Sequence, residues 1–163
     1  MVRYVNDIAG IRISCSFTSD IYLIADMISK QNDLTILARR DYMKNPKKSG
    51  YRSYHMLVTT PVFLSDSIID TKVEIQIRTV AQDFWATLEH KMHYKFEGDG
   101  PDYITKELRE CARYVAELDT RMEELNNEIQ KYGKYQIKIK IPVKRGVPRQ
   151  WFTGAIIMKK IYV

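Results

Sequence analysis

The chain has 163 residues, 45% hydrophobic and 28% charged, with a formal net charge of +6. That length and balance suit one globular domain with a real core and exclude a disordered chain. No apolar run reaches the ~18–20 residues of a membrane span and no secretory apolar segment opens the chain. Cys15 and Cys111 are too few for a disulfide framework, so a cytoplasmic, reduced protein is expected.

Charge is unevenly placed. Lys134 to Val163 holds eight Lys/Arg and no acid, whereas residues 1–133 hold 18 bases and 20 acids. In chain order, Ile11, Ile13, Cys15 and Phe17 alternate with Arg12, Ser14 and Ser16, the period of a half-buried strand. Ser19 stands where it can cap a helix to about Lys30, with Ile21, Ile24, Ala25 and Ile28 on one face. A second strand is expected over Leu34–Arg40, followed by a basic loop from Asp41 to Gly50. Tyr51–Thr60 reads as a third strand, Pro61–Thr71 as a hairpin connection and Lys72–Thr79 as a fourth strand. Val80–Lys95 reads as helix, with Phe84, Trp85 and Leu88 assigned to the core. Gly98, Gly100 and Pro101 break it before a long helix from about Asp102 to Lys131.

On that helix Leu108, Cys111, Val115, Leu118, Met122, Leu125 and Ile129 follow a 3-4-3-4-3-4 spacing. Such a heptad row either packs on its own domain or meets another subunit. Further on, Tyr135–Ile141 alternates as an amphipathic strand. Pro142–Val163 interleaves basic residues with Trp151 and Phe152, a composition that suits solvent or single-stranded nucleic acid.

The chemistry concentrates on the fourth strand. Val73, Ile75 and Ile77 alternate with Glu74, Gln76 and Arg78, so one face is apolar and the other carries an acid, an amide and a guanidinium. Taken alone, such a row is a solvated sheet surface. With the first and third strands as neighbours, Asp7, Arg12, Tyr51, Arg52 and His55 join it, and the face then suits a metal-bound polyphosphate. His90 and His93 have His-x-x-His spacing, but no third ligand accompanies them.

Four motifs, in this order and at this spacing, carry a resemblance: Asp7-Ile-Ala-Gly-Ile-Arg12, Ser49-Gly-Tyr-Arg-Ser-Tyr-His55, Glu74-Ile-Gln-Ile-Arg-Thr79 and Phe84-Trp-Ala-Thr-Leu-Glu-His90. Together they resemble the synthetase domain of RelA/SpoT homologues, and most of all its single-domain members, the small alarmone synthetases. The resemblance implies an α+β fold, a nucleotidyltransferase-like mixed β-sheet flanked by helices with a long C-terminal helix. It places a catalytic domain over residues 1–132 and leaves a basic tail, 133–163, of unknown structure. The implied activity is that of a GTP pyrophosphokinase of the stringent response. Pyrophosphate passes from ATP to the 3′-hydroxyl of GTP or GDP, giving pppGpp or ppGpp and AMP.

By the same resemblance Asp7 and Glu74 would hold Mg²⁺, with Glu74 also placed to take the 3′-hydroxyl proton. Tyr51 would stack on guanine. Arg12 would lie against adenine and the ATP phosphates, with Gln76 and Arg78 beside the reacting phosphates. Arg40, Lys47, Lys48 and His55 match positions that grip acceptor phosphates. Asp83 would face guanine, and His90 would orient the acceptor site with Glu89 as its neighbour. A homo-oligomer, a tetramer by resemblance, is implied. Family members usually carry ATP-holding helices before the Asp-x-x-Gly-x-Arg motif, so an N-terminally truncated ATP half-site is expected here. The alternative reading is a catalytically incomplete module that binds guanine nucleotide, RNA or sister subunits.

Overall fold

The computed structural model describes residues 9–95, 101–131 and the backbone strand at 157–162; residues 93–95 are likewise described by backbone alone. The elements are β1 (Ala9–Cys15), α1 (Thr18–Ser29), β2 (Thr35–Asp41), β3 (Tyr54–Phe63), β4 (Ile68–Thr79), α2 (Val80–Lys95), α3 (Asp102–Lys131) and β5 (Ile157–Tyr162). Among the described residues the strands form one sheet in the order β2-β3-β4-β1-β5. β1 runs parallel to β4, and the other neighbours are antiparallel. This is the expected α+β arrangement, a mixed sheet with flanking helices and a long helix towards the C-terminus. β5 comes from the basic tail and lies antiparallel to β1. The expected strand at Tyr135–Ile141 and the candidate RNA-binding residues of 142–156 lie outside the described residues, as does Asp7. No helix among the described residues is long and apolar enough to cross a membrane.

The two-residue period of β1 and β4 builds the core. Ile13, Cys15, Val73, Ile75 and Ile77 share one face with Met56 and Val58 of β3, and Ile21, Ile24 and Ala25 of α1 close over them. Met56, Ile77 and Ile21 are wholly buried; each contributes about 1.5–3 kcal/mol by leaving water. A second, smaller cluster joins α2 to α3: Trp85, Ala86 and Ala112 pack together with Tyr51 and Val115. There the Trp85 indole N–H donates to the Leu108 carbonyl at 3.0 Å.

Five local expectations change. The hairpin connection shrinks to 64–67, because β3 runs on through Phe63 and β4 begins at Ile68. β2 ends its pairing where Thr35 meets Thr59, so among the described residues β3 has an open edge from residue 60, where a sheet tolerates Pro61. The third strand starts at Tyr54, and Tyr51–Ser53 approaches it as extended chain. Phe17, not Ser19, is the N-cap of α1; lacking a side-chain acceptor, it relies on Asp20, whose carboxylate accepts from the Phe17 N–H at 3.0 Å. The Ser19 N–H is taken instead by Glu123 of α3 at 3.1 Å. On α2 only Trp85 of the three expected core residues is buried, while Phe84 and Leu88 are exposed. The heptad row also splits. α3 packs on its own domain through Leu108, Ala112, Val115 and Asp119, leaving Leu118, Met122, Leu125 and Ile129 about half exposed.

Candidate active site

Strand register gathers the polar row. Gln76 of β4 pairs with Arg12 of β1 on one side and with His55 of β3 on the other, and His55 pairs with Arg40 of β2. Four adjacent strands therefore carry Arg12, Gln76, His55 and Arg40 abreast on the face opposite the core. Tyr51 reaches the same face from the preceding turn. That turn needs Gly50, which has φ +91°, and a Cβ there would lie 2.6 Å from the Ala112 Cβ of α3.

These side chains close a ring of hydrogen bonds. His55 Nδ1 meets Glu74 Oε1 at 2.9 Å and His55 Nε2 meets the Tyr51 hydroxyl at 2.8 Å. Arg78 Nη2 donates to the Tyr51 oxygen at 2.6 Å and to Gln76 Oε1 at 2.7 Å. Gln76 Nε2 donates to Glu74 Oε2 at 3.1 Å, completing the circuit. The Arg78 guanidinium also lies over the Tyr51 ring at 4.9 Å, and Lys47 lies over the same ring at 4.8 Å.

The electrostatics follow from the ring. Burial pushes the His55 imidazolium pKa down, and Arg78 and Lys47 add to this, outweighing Glu74; His55 is neutral at pH 7. Burial works to raise the Glu74 pKa, but the hydrogen bonds from Gln76 and His55, with the charge of Arg40, hold it below the usual carboxylate range. Glu74 is thus an anion whose two oxygens each accept one bond. Arg78 is only 4% exposed, and a buried guanidinium needs a counter-ion. Asp83, in the first turn of α2, supplies it at 3.4 Å and pairs at the same distance with Arg12. The Arg78 Nε, buried, has no partner among the described residues.

The site residues expected from sequence fall into two groups. Glu74, Gln76, Arg78, Tyr51, His55, Arg12 and Asp83 form one connected cluster, with Lys47 over Tyr51 and Arg40 in line on β2. Lys48 is exposed on the turn. Glu89 and His90 lie further along α2, with His90 exposed. Asp83 stands against Arg12 and Arg78, two residues assigned by resemblance to the ATP side.

Some participants were not singled out from sequence. Tyr42 sets its ring edge-on to His55 at 5.2 Å and to Tyr51 at 6.1 Å. Thr79 and Gln82 form a capping box that starts α2: the Gln82 N–H donates to Thr79 Oγ1 at 3.1 Å, and the Thr79 N–H donates to Gln82 Oε1 at 3.2 Å. Thr-x-x-Gln ahead of an apolar run is a readable signal for this. Asp119 of α3 then accepts from Thr79 Oγ1 at 2.7 Å and from Gln82 Nε2 at 2.9 Å, which ties the box to the long helix. A separate cavity of about 440 Å³ lies between α1, the 43–52 turn and α3, lined by Tyr22, Met43, Gly50, Arg52 and Asp119 among others. No member of the hydrogen-bonded ring lines it.

The mixed sheet and flanking helices, with Arg12, Gln76, His55 and Glu74 on one face, place the chain in a nucleotidyltransferase-like fold class. The family profile described as "Region found in RelA / SpoT proteins" matches residues 1–99, and the chain belongs to that family. It is 45% identical over 129 residues to GTP pyrophosphokinase YwaC of Bacillus subtilis (strain 168), covering 79% of this chain and 61% of that protein. It is 40% identical over 129 residues to GTP pyrophosphokinase YjbM of the same organism, with the same coverage. The chain therefore spans about three-fifths of the length of these relatives. Among solved structures it is similar to small alarmone synthetase 1 from Bacillus subtilis bound to its product pppGpp. That match has a TM-score of 0.74 and 41% identity, and covers 76% of this chain and 64% of that one.

Proposed function

We propose that this chain carries the catalytic face of a (p)ppGpp synthetase, moving pyrophosphate from ATP to the 3′-hydroxyl of GTP or GDP with release of AMP. The observation that carries the reading is the ring around Glu74: an ionised carboxylate, oriented from both sides, in the strand row that the family motif supplies. The relatives' names and the product-bound neighbour support it. In this reaction the acceptor 3′-oxygen bonds to the β-phosphorus of ATP, the bond from that phosphorus to the α–β bridging oxygen breaks, and AMP leaves carrying the bridging oxygen. Glu74 accepts the hydrogen bond, and then the proton, of the attacking hydroxyl. The Tyr51 ring stacks on guanine, with Lys47, Lys48 and Arg40 toward the acceptor phosphates, while both His55 nitrogens are engaged by Tyr51 and Glu74. Arg12 serves ATP. Asp83 keeps Arg12 and Arg78 in place, a role the geometry supports over contact with guanine.

Magnesium commonly takes one or two carboxylates together with substrate phosphates. Glu74, ionised and partly exposed, fits as one such ligand. Asp7 is the second carboxylate named by resemblance. Bound Mg²⁺ would offset charge on the transferring phosphates. The test is to incubate the chain with ATP, GTP or GDP and Mg²⁺, and to resolve the products by anion exchange. AMP together with pppGpp or ppGpp is the expected result; ATP consumption without a guanosine product would sink the reading.

The exposed row Leu118, Met122, Leu125 and Ile129 supports self-association through α3. Leu118→Lys is expected to leave a folded chain of lower mass in sedimentation. An unchanged assembly would place the subunit contact elsewhere.

A further inference from the structure

The hydroxyl of Tyr51 does something that its ring does not. The Tyr51 oxygen accepts from Arg78 Nη2 and lies 2.8 Å from His55 Nε2, whose lone pair takes the Tyr51 proton when the ring's own proton sits on Nδ1. The other nitrogen, Nδ1, faces the Glu74 carboxylate at 2.9 Å, where only an N–H makes a favourable contact. Every bond in the chain from Arg78 through Tyr51 and His55 therefore donates in one direction, towards Glu74. His55 is held at both nitrogens and has no second orientation that satisfies both neighbours. The surroundings close the remaining freedom. Gln76 lies opposite His55 on β4, Arg40 opposite it on β2, the Tyr42 ring stands edge-on at 5.2 Å, and Lys47 lies over Tyr51.

Building on the synthetase reading above, we propose that the Tyr51 hydroxyl is a positioning group for the transfer reaction. It holds the His55 ring in the orientation that points Nδ1–H at Glu74, and through His55 it aims the carboxylate of Glu74 at the acceptor hydroxyl. Tyr51 thus has two separable functions: the ring binds a base, and the oxygen orients the group that receives the proton.

Two measurements test this, one of which needs no turnover. The first is long-range ¹H–¹⁵N NMR of the histidine rings in the nucleotide-free chain. There are three histidines, and His55→Gln identifies the His55 signal. The wild-type spectrum should show His55 protonated at Nδ1 alone, and Tyr51→Phe should keep that tautomer while moving the Nε2 resonance downfield, toward a nitrogen with a free lone pair. Protonation at Nε2 in the wild type, or an unaltered pattern in Tyr51→Phe, overturns the proposal.

The second is steady-state kinetics. Tyr51→Phe keeps the ring, so KM for GTP should stay within about twofold while kcat falls about tenfold, the scale of one lost hydrogen bond. In a His55→Ala background the same change should cost clearly less than in the wild type, the remainder being the share carried by the Arg78 bond to the same oxygen. Additive losses, or a loss confined to KM, overturn the proposal. Should the wild-type chain make no product, the synthetase reading fails by itself, and the ring-nitrogen spectra still decide whether the hydroxyl orients His55.

Discussion

The two faces of the central sheet are built from the same strands and obey opposite rules. On one, Ile13, Met56, Val58, Val73, Ile75 and Ile77 meet α1 without a polar atom among their side chains, save the Cys15 thiol, which donates to the Arg78 carbonyl at 3.1 Å. On the other, Glu74, Gln76, Arg78, His55 and Tyr51 satisfy one another by direction and proton count. The apolar face tolerates exchange of shape at a cost set by volume. The polar face tolerates almost none, since removing one donor leaves a buried partner unmet. Stability and chemistry are thereby separated across the thickness of one sheet, and each can be broken without the other.

The largest effect expected on the polar face is from Glu74→Gln. It should lower turnover by about a hundredfold or more, the usual reach of a lost general base, in a chain that still folds. Retained turnover would remove Glu74 from the mechanism. On the apolar face, Ile77→Ala should cost about 2–5 kcal/mol in urea unfolding while leaving KM for GTP unaltered in the folded fraction. A shift in KM would show that the two faces are not independent. Gly50→Ala tests the bridge between them. A left-handed backbone costs an L-residue about 1–2 kcal/mol, and the new methyl would crowd Ala112. The expected outcome is a loss of that order together with weaker guanine-nucleotide binding, because Tyr51 follows directly.

The smallest effect belongs to Asp119. Burial lifts its pKa above the ordinary carboxylate value, against the hydrogen bonds from Thr79 and Gln82 that lower it. The folded chain therefore holds its proton to higher pH than the unfolded chain. Stability falls as pH rises from the ordinary carboxylate pKa through the raised one, and it is flat above. Asp119→Asn should remove that slope, so the variant gains on the wild type at pH 7 and the gain shrinks as the medium is acidified. Urea titrations at the two ends of that range would show it.

The legible parts of the molecule are those in which one residue type at a fixed period decides the outcome. The alternation Val73 to Arg78 set both faces of β4 correctly, and the Gly and Pro residues around 98–101 marked where α3 starts. The bounds of α2 and α3 agree with the structure to the residue. What escaped were choices made by partners distant in the chain. Nothing near Ser19 announces that Glu123 will take its N–H, and nothing near Pro61 announces that β2 stops opposite Thr59. The α2 pattern offered Phe84, Trp85 and Leu88 equally, and only the Leu108 carbonyl decided that Trp85 goes inside. The motif residues around Glu74 were readable as a set, but the closed circuit was not. Its closure depends on strand order, which sequence period does not encode.

β4 ends at Thr79 and α2 begins at Val80, with the capping box folded over the boundary. Strand and helix consequently have no joint between them. A tilt of α2 cannot be absorbed by a linker and must lever the end of β4, where Arg78 stands one residue before the boundary. With Asp119 clamping that boundary to a thirty-residue helix, α3 becomes a handle on the polar row. Force applied at its exposed far end would reach Glu74 through rigid pieces alone.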